Sequence, residues 1–390
     1  MNRIYLGHNS TANLRHHLNY LQNKIECVII LKNILYLFIT ILLSMQTFAQ
    51  SMQTQVKAPE TSISTDNELI TISAVGDIMM GTTFPQDMLS SDGGKRLFQQ
   101  SKDYLQAADI RFGNLEGTLY DGKTTADGKA TGPNRYLFRT PTSYASLLAD
   151  AGFNVLSLAN NHALDFGTAG IVSTKNALKA NGIQYSSKLG NEVAQFEIRG
   201  VTVALIACDF YSGRRSISTP EATYAEIRKL KNQFDIVIVT AHAGGEGRGA
   251  ERVQDASEIF LGENRGNSVT FARTAIENGA SLIIMSGPHV PRAMEIYQGK
   301  FIAYSLGNFV TGRGIGIQGL AGVAPLLRLQ LDRNGNFVQG HLASFRQARD
   351  VGAVYDKTNY ALTFIAKLSA LDFPQSTPKF DELTGRIYPH

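Results

Sequence analysis

The sequence of 390 residues predicts an α/β fold, a layered sandwich with mixed sheets. From Leu69 to Met285, continuous apolar runs typical of buried strands alternate with segments of helical spacing. From Ala293 onwards the apolar positions take a period of two, which indicates strands joined as hairpins. Strand and helix alternation favours parallel pairing, whereas hairpins pair antiparallel. We therefore expect sheets of mixed direction packed in layers.

The individual elements follow from these patterns. The first half predicts strands at 69–75, 110–112, 136–139 and 153–159, and helices at 95–107, 142–151 and 170–181. The second half predicts a hairpin of 193–198 with 201–207, helices at 221–231 and 268–278, strands at 235–240 and 281–285, and period-two strands at 294–297, 301–305 and 324–331. Residues 120–135 are polar and contain glycine, which predicts a surface loop that could cover a cleft.

Side chains capable of chemistry follow five of the predicted strands: Asp77, Glu116, the pair Asn161 and His162, His242, and His289. Because α/β proteins place their chemistry at the carboxyl ends of strands, we expect these side chains to meet in one cleft. Outside residues 1–49 the chain has only two further histidines, and neither directly follows such a strand. A shared metal or catalytic cluster is therefore the preferred interpretation.

The stretch from Leu156 to Gly167 contains the most informative of these strand ends. Asn161 offers a carbonyl oxygen to a metal, His162 can donate a proton near neutral pH, and Asp165 could orient it. Taken alone, the Asn-Asn-His segment could equally be a turn followed by a helix N-cap.

The combined donor set predicts a divalent cation. Carboxylates, imidazoles and an amide together favour Mn, Fe or Zn over an all-oxygen calcium site. One or two ions would fit, and two ions about 3.5–4 Å apart could clamp a phosphoryl group and activate water.

Composition and the absence of certain motifs argue against several other classes of function. The sequence contains no Walker glycine loop, Gly-x-Ser-x-Gly elbow or Cys-x-x-Cys pair. Residues 1–49 hold four of the 37 basic residues and one of the 33 acidic residues, so the rest is nearly neutral and no nucleic-acid partner is expected. Cys208, the only cysteine beyond residue 49, lies in an apolar run, which predicts a buried thiol.

The N-terminus predicts export. An apolar run, Ile34 to Met45, follows Lys32 and precedes Thr47-Phe48-Ala49, as in a secretory signal cleaved near Gln50. The alternative is an uncleaved anchor, which would hold the protein to the membrane by its N-terminus. Either version places the protein in the periplasm or at the cell surface. We expect residues 1–49 to be this leader, 50–67 a flexible linker, 68–348 the main domain, and 349–390 an extension packed on it.

Six segments together resemble one known family. They are Gly76-Asp77-Ile78-Met79, Gly113-Asn114-Leu115-Glu116-Gly117, Leu158-Ala159-Asn160-Asn161-His162-Ala163-Leu164-Asp165-Phe166-Gly167, His242 with Glu246, Gly287-Pro288-His289-Val290, and Tyr304-Ser305-Leu306-Gly307-Asn308-Phe309. In order and content they resemble the CapA family, the capsule and poly-γ-glutamate synthesis proteins of the calcineurin-like metallophosphatase superfamily. The resemblance implies a four-layer α/β/β/α sandwich of two mixed sheets with a two-metal site at the strand ends.

The resemblance also implies roles for particular residues. Asp77 and His289 would belong to one metal, Asn161 and His242 to the other, and Glu116 would bridge them.

The remaining motif residues would act on the substrate. His162, oriented by Asp165, would protonate the leaving group, and Asn114, Glu246 and Asn308 would contact the substrate or support the site.

Two departures from the superfamily pattern reduce the expected ligand set. Its first motif is Asp-x-His, and position 79 is methionine here, a poor ligand for a hard cation. Its last motif is Gly-His-x-His, and Gly287 and Pro288 precede His289 here. Each metal would lose one imidazole, and Met79 is expected to be a core or cleft-wall side chain.

Two functions are compatible with these features. The first is an exported metal-dependent hydrolase or phosphoesterase that acts on an anionic polymer or phosphoester during capsule or poly-γ-glutamate synthesis. The second is a non-catalytic component that binds polymer within a membrane-bound synthesis complex. The retained acids and histidines favour the first, and the missing imidazoles favour the second.

Overall fold

Two mixed β-sheets form the centre of the protein in a computed structural model that describes residues 69–390, except 125–126, 133–134 and 248. The predicted leader (1–49) and linker (50–67) lie outside the described residues. In chain order the strands are β1 (Ile70–Met79), β2 (Ile110–Leu115), β3 (Thr118–Leu119), β4 (Arg139–Thr140), β5 (Val155–Ser157), β6 (Gln184–Ser186), β7 (Ala194–Ile198), β8 (Val201–Asp209), β9 (Ile236–His242), β10 (Ile259–Phe260), β11 (Glu263–Asn264), β12 (Leu282–Ser286), β13 (Met294–Tyr297), β14 (Lys300–Ala303), β15 (Asn308–Thr311), β16 (Val323–Leu331), β17 (Phe337–Ala348), β18 (Gly352–Tyr355), β19 (Lys379–Phe380) and β20 (Arg386–Tyr388).

Helices occupy the segments between the parallel strands and near the C-terminus. Those within the described residues are α1 (Lys102–Gln106), α2 (Ala145–Ala151), α3 (Gly167–Ala180), α4 (Glu221–Lys231), α5 (Ser268–Glu277) and α6 (Tyr360–Asp372), with short 3₁₀ helices at Thr142–Tyr144 and Gly319–Gly322.

The larger sheet has the strand order β19-β20-β17-β16-β1-β2-β5-β6, and β15 and β18 pair with β1 and β17. The strands β1, β2, β5 and β6 are parallel, whereas β16 and β17 are antiparallel to their neighbours. The second sheet has the order β13-β14-β12-β9-β8-β7. Its strands β8, β9, β12 and β14 are parallel, and the edge strands β7 and β13 are antiparallel. Both sheets are mixed, as predicted.

Three apolar cores separate four layers. The central core joins the inward faces of the two sheets and includes Ile72 and Val203. The outer face of the larger sheet packs on α1, α2 and α3, and this core includes the buried side chains of Leu105 and Leu148. The outer face of the second sheet packs on α4 and α5, with Ile227. This arrangement is the expected α/β/β/α sandwich.

The predicted helix at 95–107 is reduced to the short helix α1. Residues 91–101 instead form a series of turns. The carbonyl of Leu97, which a longer helix would use, accepts from Ala353 N at 3.3 Å. A contact with the C-terminal segment therefore replaces helical hydrogen bonds that local spacing alone predicts.

Residues 349–390 contribute secondary structure that the sequence patterns did not predict. The strands β18 and β20 pair with β17, and β19 pairs with β20. Ala361, Leu362 and Ile365 of α6 enter the core between the sheets. In the part of the chain that the structure describes, no helix is long and apolar enough to cross a membrane.

Candidate metal centre

Asp77 is delivered to the centre by an irregularity in β1. The pairing register of β1 with β2 shifts between Ala74 and Asp77. At the same point Asp77 N donates to Gly307 O at 2.9 Å. A Cβ atom on Gly76 would lie 1.8 Å from Gly307 O, so only glycine allows β1 to approach this loop. Gly76 thus permits the backbone geometry that places Asp77.

We expect Gly76→Ala to lower the free energy of unfolding by about 3 kcal/mol, because the new methyl group would displace backbone in a packed interior. Urea unfolding followed by circular dichroism measures the change. Gly316→Ala is the matched control, since nothing lies within 4 Å of a Cβ there. Equal stability of the two variants would contradict the prediction.

Three of the predicted ligands meet in a tight cluster. Asp77, Glu116 and His289 each present one donor atom, and these atoms all lie within 4.8 Å of one another. His289 Nδ1 is 3.1 Å from Asp77 Oδ2, and His289 Nε2 is 3.6 Å from Glu116 Oε1. His289 has a left-handed backbone with φ of 59°, a conformation that costs energy outside glycine and is frequent at functional sites.

His242 adjoins this cluster from the second sheet. It is the last residue of β9, and its Nδ1 is 3.6 Å from Asp77 Oδ1. The same Nδ1 lies 3.2 Å from Asn114 Nδ2 and 3.3 Å from Ser286 Oγ. His242 Nε2 is buried and has no hydrogen-bond partner. The carboxyl ends of strands from both sheets therefore converge on one point.

The Asn-Asn-His segment after β5 is a turn that places His162 beside the cluster. Asn160 closes the turn, because its Oδ1 accepts from His162 N at 3.0 Å and its Nδ2 donates to Asn114 Oδ1 at 3.1 Å. Asn161 Oδ1 is buried without a hydrogen-bond partner. The alternative of an N-cap does not hold, since α3 begins only at Gly167.

His162 is held in one orientation beside the cluster. Its Nδ1 lies 2.8 Å from Asp165 Oδ2, and its Nε2 faces Glu116 Oε1 at 3.8 Å. Phe138 N also donates to Asp165 Oδ2, at 2.7 Å, and the Phe138 ring packs on the imidazole with centroids 4.3 Å apart. Two contacts from Phe138, in the loop before β4, thus hold the His162–Asp165 pair.

The three residues predicted to contact the substrate or support the site, Asn114, Glu246 and Asn308, differ in burial. Asn114 is buried, and its Nδ2 donates to Asp77 Oδ1 at 2.8 Å. Asn308 is fully buried, its Oδ1 lies 2.9 Å from His289 Nδ1, and its Nδ2 donates to Ala321 O at 3.2 Å. The amides of both residues are thus engaged inside the protein, beside the predicted ligands Asp77 and His289. Glu246 is partly exposed beside His289.

Unsatisfied buried atoms test whether a cation fits these residues. Buried side-chain atoms in the described part of the chain that lack a hydrogen bond include both carboxylate oxygens of Glu116, Asn161 Oδ1 and His242 Nε2. A buried polar atom without a partner is costly, and the three on Glu116 and His242, in and beside the cluster, call for an explanation. Carboxylate and amide oxygens with imidazole nitrogens are ligands for divalent transition metals. The residues therefore fit a divalent cation.

Electrostatics within the cluster support the same interpretation. Burial would raise the pKa of Asp77, but hydrogen bonds and charges from His242 and His289 hold that pKa well below its usual range. Burial raises the pKa of Glu116, against the opposing charge of His289. Burial would lower the pKa values of His242 and His289, but the neighbouring acids Asp77 and Glu116 raise both. The pKa of His289 rises to about 10. The buried acids thus attract positive charge, which either protons or a cation can supply.

We expect the melting temperature of chelator-treated protein to fall as the pH rises from about 6.5 to 10. The pKa of His289 is raised to about 10, so its stabilisation is complete below the unfolded value and is lost as the pH approaches 10. Thermal melts at constant ionic strength measure the trend. The variant His289→Gln should show a shallower fall, and an identical pH dependence in both proteins would contradict the assignment.

One acid near the cluster was not predicted from the sequence. Asp209 ends β8, pairs in register with His242, and forms an ion pair with Lys188. Lys188 Nζ also donates to Tyr211 O at 2.7 Å. The signal was present, because an apolar run leads to Asp209 just as apolar runs lead to Asp77 and Glu116. Cys208, which precedes it, is fully buried, as predicted.

Met79 is a core side chain, as predicted. It is 1% exposed, and its sulfur accepts from Gly81 N at 3.3 Å. The first motif therefore contributes Asp77 alone to the cluster.

Comparison with known proteins assigns the family. A family model described as the bacterial capsule synthesis protein PGA_cap matches residues 71–313. The chain belongs to this family. The PGA_cap match contains every residue of the cluster, from Asp77 to His289.

Curated relatives carry related names. The chain is 28% identical over 264 residues to the PGA biosynthesis protein CapA of Bacillus subtilis (strain 168), covering 64% of this chain and 65% of the relative. It is 28% identical over 269 residues to the capsule biosynthesis protein CapA of Bacillus anthracis, covering 64% and 61%. The match thus spans less than two thirds of the length of either relative.

Among solved structures, a 5'-nucleotidase precursor from Thermus thermophilus matches with a TM-score of 0.38 and 13% identity, covering 79% of this chain and 60% of that one. The family assignment rests on the sequence match.

Proposed function

We propose that this PGA_cap chain is an exported, metal-dependent hydrolase that cleaves a phosphoester or related linkage during synthesis of a capsule or poly-γ-glutamate surface polymer. The observation that supports it most is the buried cluster of Asp77, Glu116 and His289, whose donor atoms lie within 4.8 Å of one another. The names of the curated relatives support the link to surface-polymer synthesis.

In this proposal the five predicted ligands hold the cation or cations: Asp77, Glu116, Asn161, His242 and His289. A bound divalent cation would neutralise a phosphoryl oxygen and lower the pKa of an attacking water. The mixture of carboxylate, amide and imidazole favours Mn, Fe or Zn. With Met79 and Gly287 at motif positions that could carry imidazoles, the site would take one or two ions.

His162 acts as the proton donor. Its Nδ1 is held by Asp165 at 2.8 Å, so Nε2 is the nitrogen that faces the cluster and the bound substrate. A proton on Nε2 passes to the leaving-group oxygen as the bond to phosphorus breaks. Asp165 fixes the tautomer and stabilises the orientation of the ring.

The test uses the purified full-length chain. Elemental analysis measures bound Mn, Fe and Zn, and phosphodiester and phosphomonoester substrates are assayed with added MnCl₂ and with chelator. Metal-dependent turnover supports the proposal. A protein that binds no divalent metal and hydrolyses neither substrate class would overturn it.

A second candidate is a non-catalytic, polymer-binding component of a membrane-bound synthesis complex. The replacement of motif histidines by Met79 and Gly287 favours it, because a weakened site is compatible with binding without turnover. Retention of poly-γ-glutamate by the purified chain, together with absence of metal-dependent hydrolysis, would favour this function.

A further inference from the structure

The orientation of His289 leaves one ring nitrogen facing two acids. Its Nδ1 is engaged, 2.9 Å from Asn308 Oδ1 and 3.1 Å from Asp77 Oδ2. Its Nε2 lies 3.6 Å from Glu116 Oε1 and 3.9 Å from Glu246 Oε2. Both of these distances exceed a hydrogen bond. Nε2 therefore lies within 4 Å of one oxygen of Glu116 and one oxygen of Glu246 without bonding to either.

Each of the two distances from Nε2 is close to the separation of two ligands of one cation. With metal–ligand bonds of about 2.1 Å, two ligands of a tetrahedral ion lie about 3.4 Å apart. The distances of 3.6 and 3.9 Å from Nε2 would need to contract by only a few tenths of an ångström.

Arg265 holds Glu246 in the required orientation. The guanidinium is 4% exposed, and its Nη1 donates to Glu246 Oε1 at 2.7 Å. It stacks on the ring of Phe210 at 4.0 Å and near that of Phe260 at 5.2 Å. One carboxylate oxygen of Glu246 is thus occupied by a buried arginine, and the other is turned to His289.

We propose that Glu246 is a ligand of the metal centre, that it replaces a missing imidazole, and that Arg265 is its positioning residue. The inference rests on the proposed metal-dependent function and deepens it. Met79 cannot supply a donor, because its buried sulfur already accepts a hydrogen bond from Gly81 N. Glu246 follows His242 by four residues and brings a third carboxylate to the centre.

The experiment measures metal affinity of the full-length chain. Chelator-treated protein is titrated with MnCl₂ by calorimetry, and bound manganese is counted by elemental analysis. We expect Glu246→Gln to lower the affinity for manganese by about 100-fold or more, or to lower the number of bound ions by one. The reason is that groups that merely support a ligand already contribute about 10–100-fold to affinity. Arg265→Met should weaken binding by about 10–100-fold.

Glu263→Gln is the matched control. Glu263 also pairs with Arg265, at 3.0 Å, but its side chain is 46% exposed. The control should bind manganese like the natural chain. Glu246→His is a second variant that restores an imidazole, and it should bind manganese or zinc more tightly than Glu246→Gln.

The outcomes separate the inference from the function on which it rests. If the natural chain binds manganese and Glu246→Gln binds it equally well, Glu246 is not a ligand and only the inference fails. Loss of turnover in Glu246→Gln with unchanged affinity would assign Glu246 to the substrate and likewise overturn the inference. If the natural chain binds no metal, the proposed function fails as well.

Discussion

Replacing His162 with alanine should lower turnover of a phosphodiester by about 10²–10⁴-fold, the usual contribution of a positioned general acid, and leave the metal content unchanged. The reason is geometric. His162 Nε2 is 3.8 Å from Glu116 Oε1 and its Nδ1 is bound to Asp165, so the ring lies beside the cluster without being one of its three clustered donors. Steady-state kinetics with MnCl₂ and elemental analysis of the same preparations measure both quantities.

Asp165→Asn is the companion variant for this prediction. It retains the imidazole but weakens its orientation, so the loss of turnover should be smaller than in His162→Ala, again with metal retained. Loss of bound metal from His162→Ala would instead make His162 a ligand. Unchanged turnover would remove it from the reaction.

Replacing Asp77 with asparagine should weaken metal binding by more than about 100-fold and abolish metal-dependent turnover, because loss of a group that only supports a ligand already costs about 10–100-fold. The substitution preserves shape and an acceptor for Asn114 Nδ2, which donates to Asp77 Oδ1 at 2.8 Å. It removes the negative charge that His242 and His289 approach within 3.6 and 3.1 Å. Calorimetric titration with MnCl₂ measures the change.

Asp356→Asn provides the control for removing a buried acid. Asp356 is 8% exposed and pairs with Arg346 in the C-terminal segment at 3.0 Å. Its replacement should affect stability but leave manganese affinity unchanged. Equal manganese affinity in Asp77→Asn and the natural chain would contradict the assignment of Asp77 to the metal centre.

Much of the fold follows from local pattern. The continuous apolar run at 235–240 predicted β9 closely, because a strand buried on both faces needs no alternation. The helix predicted at 95–107 was too long, since Ala353 competes for the carbonyl of Leu97. β15 was not predicted either. It is short and pairs with β1 only where the register of β1 shifts after Asp77.

Local sequence pattern predicted only part of the candidate site. Asp77, Glu116 and His289 follow apolar strands, and that position alone predicted that they would meet. The support given by Asn308 to His289, and by Arg265 to Glu246, joins residues that are 19 positions apart in each case. No local pattern distinguishes such supporting groups from surface residues or substrate contacts.

By itself, the sequence determined the family, the α/β class and the identity of the donor side chains, because periodicity and motif content are properties of neighbouring residues. Only the tertiary structure decided which nitrogen of each imidazole is engaged, which acids lie beside it, and which amides are buried against the cluster. Those properties depend on how the two sheets pack and on the close approach of Gly76 to Gly307, where the shape of the backbone sets distances that local sequence does not encode.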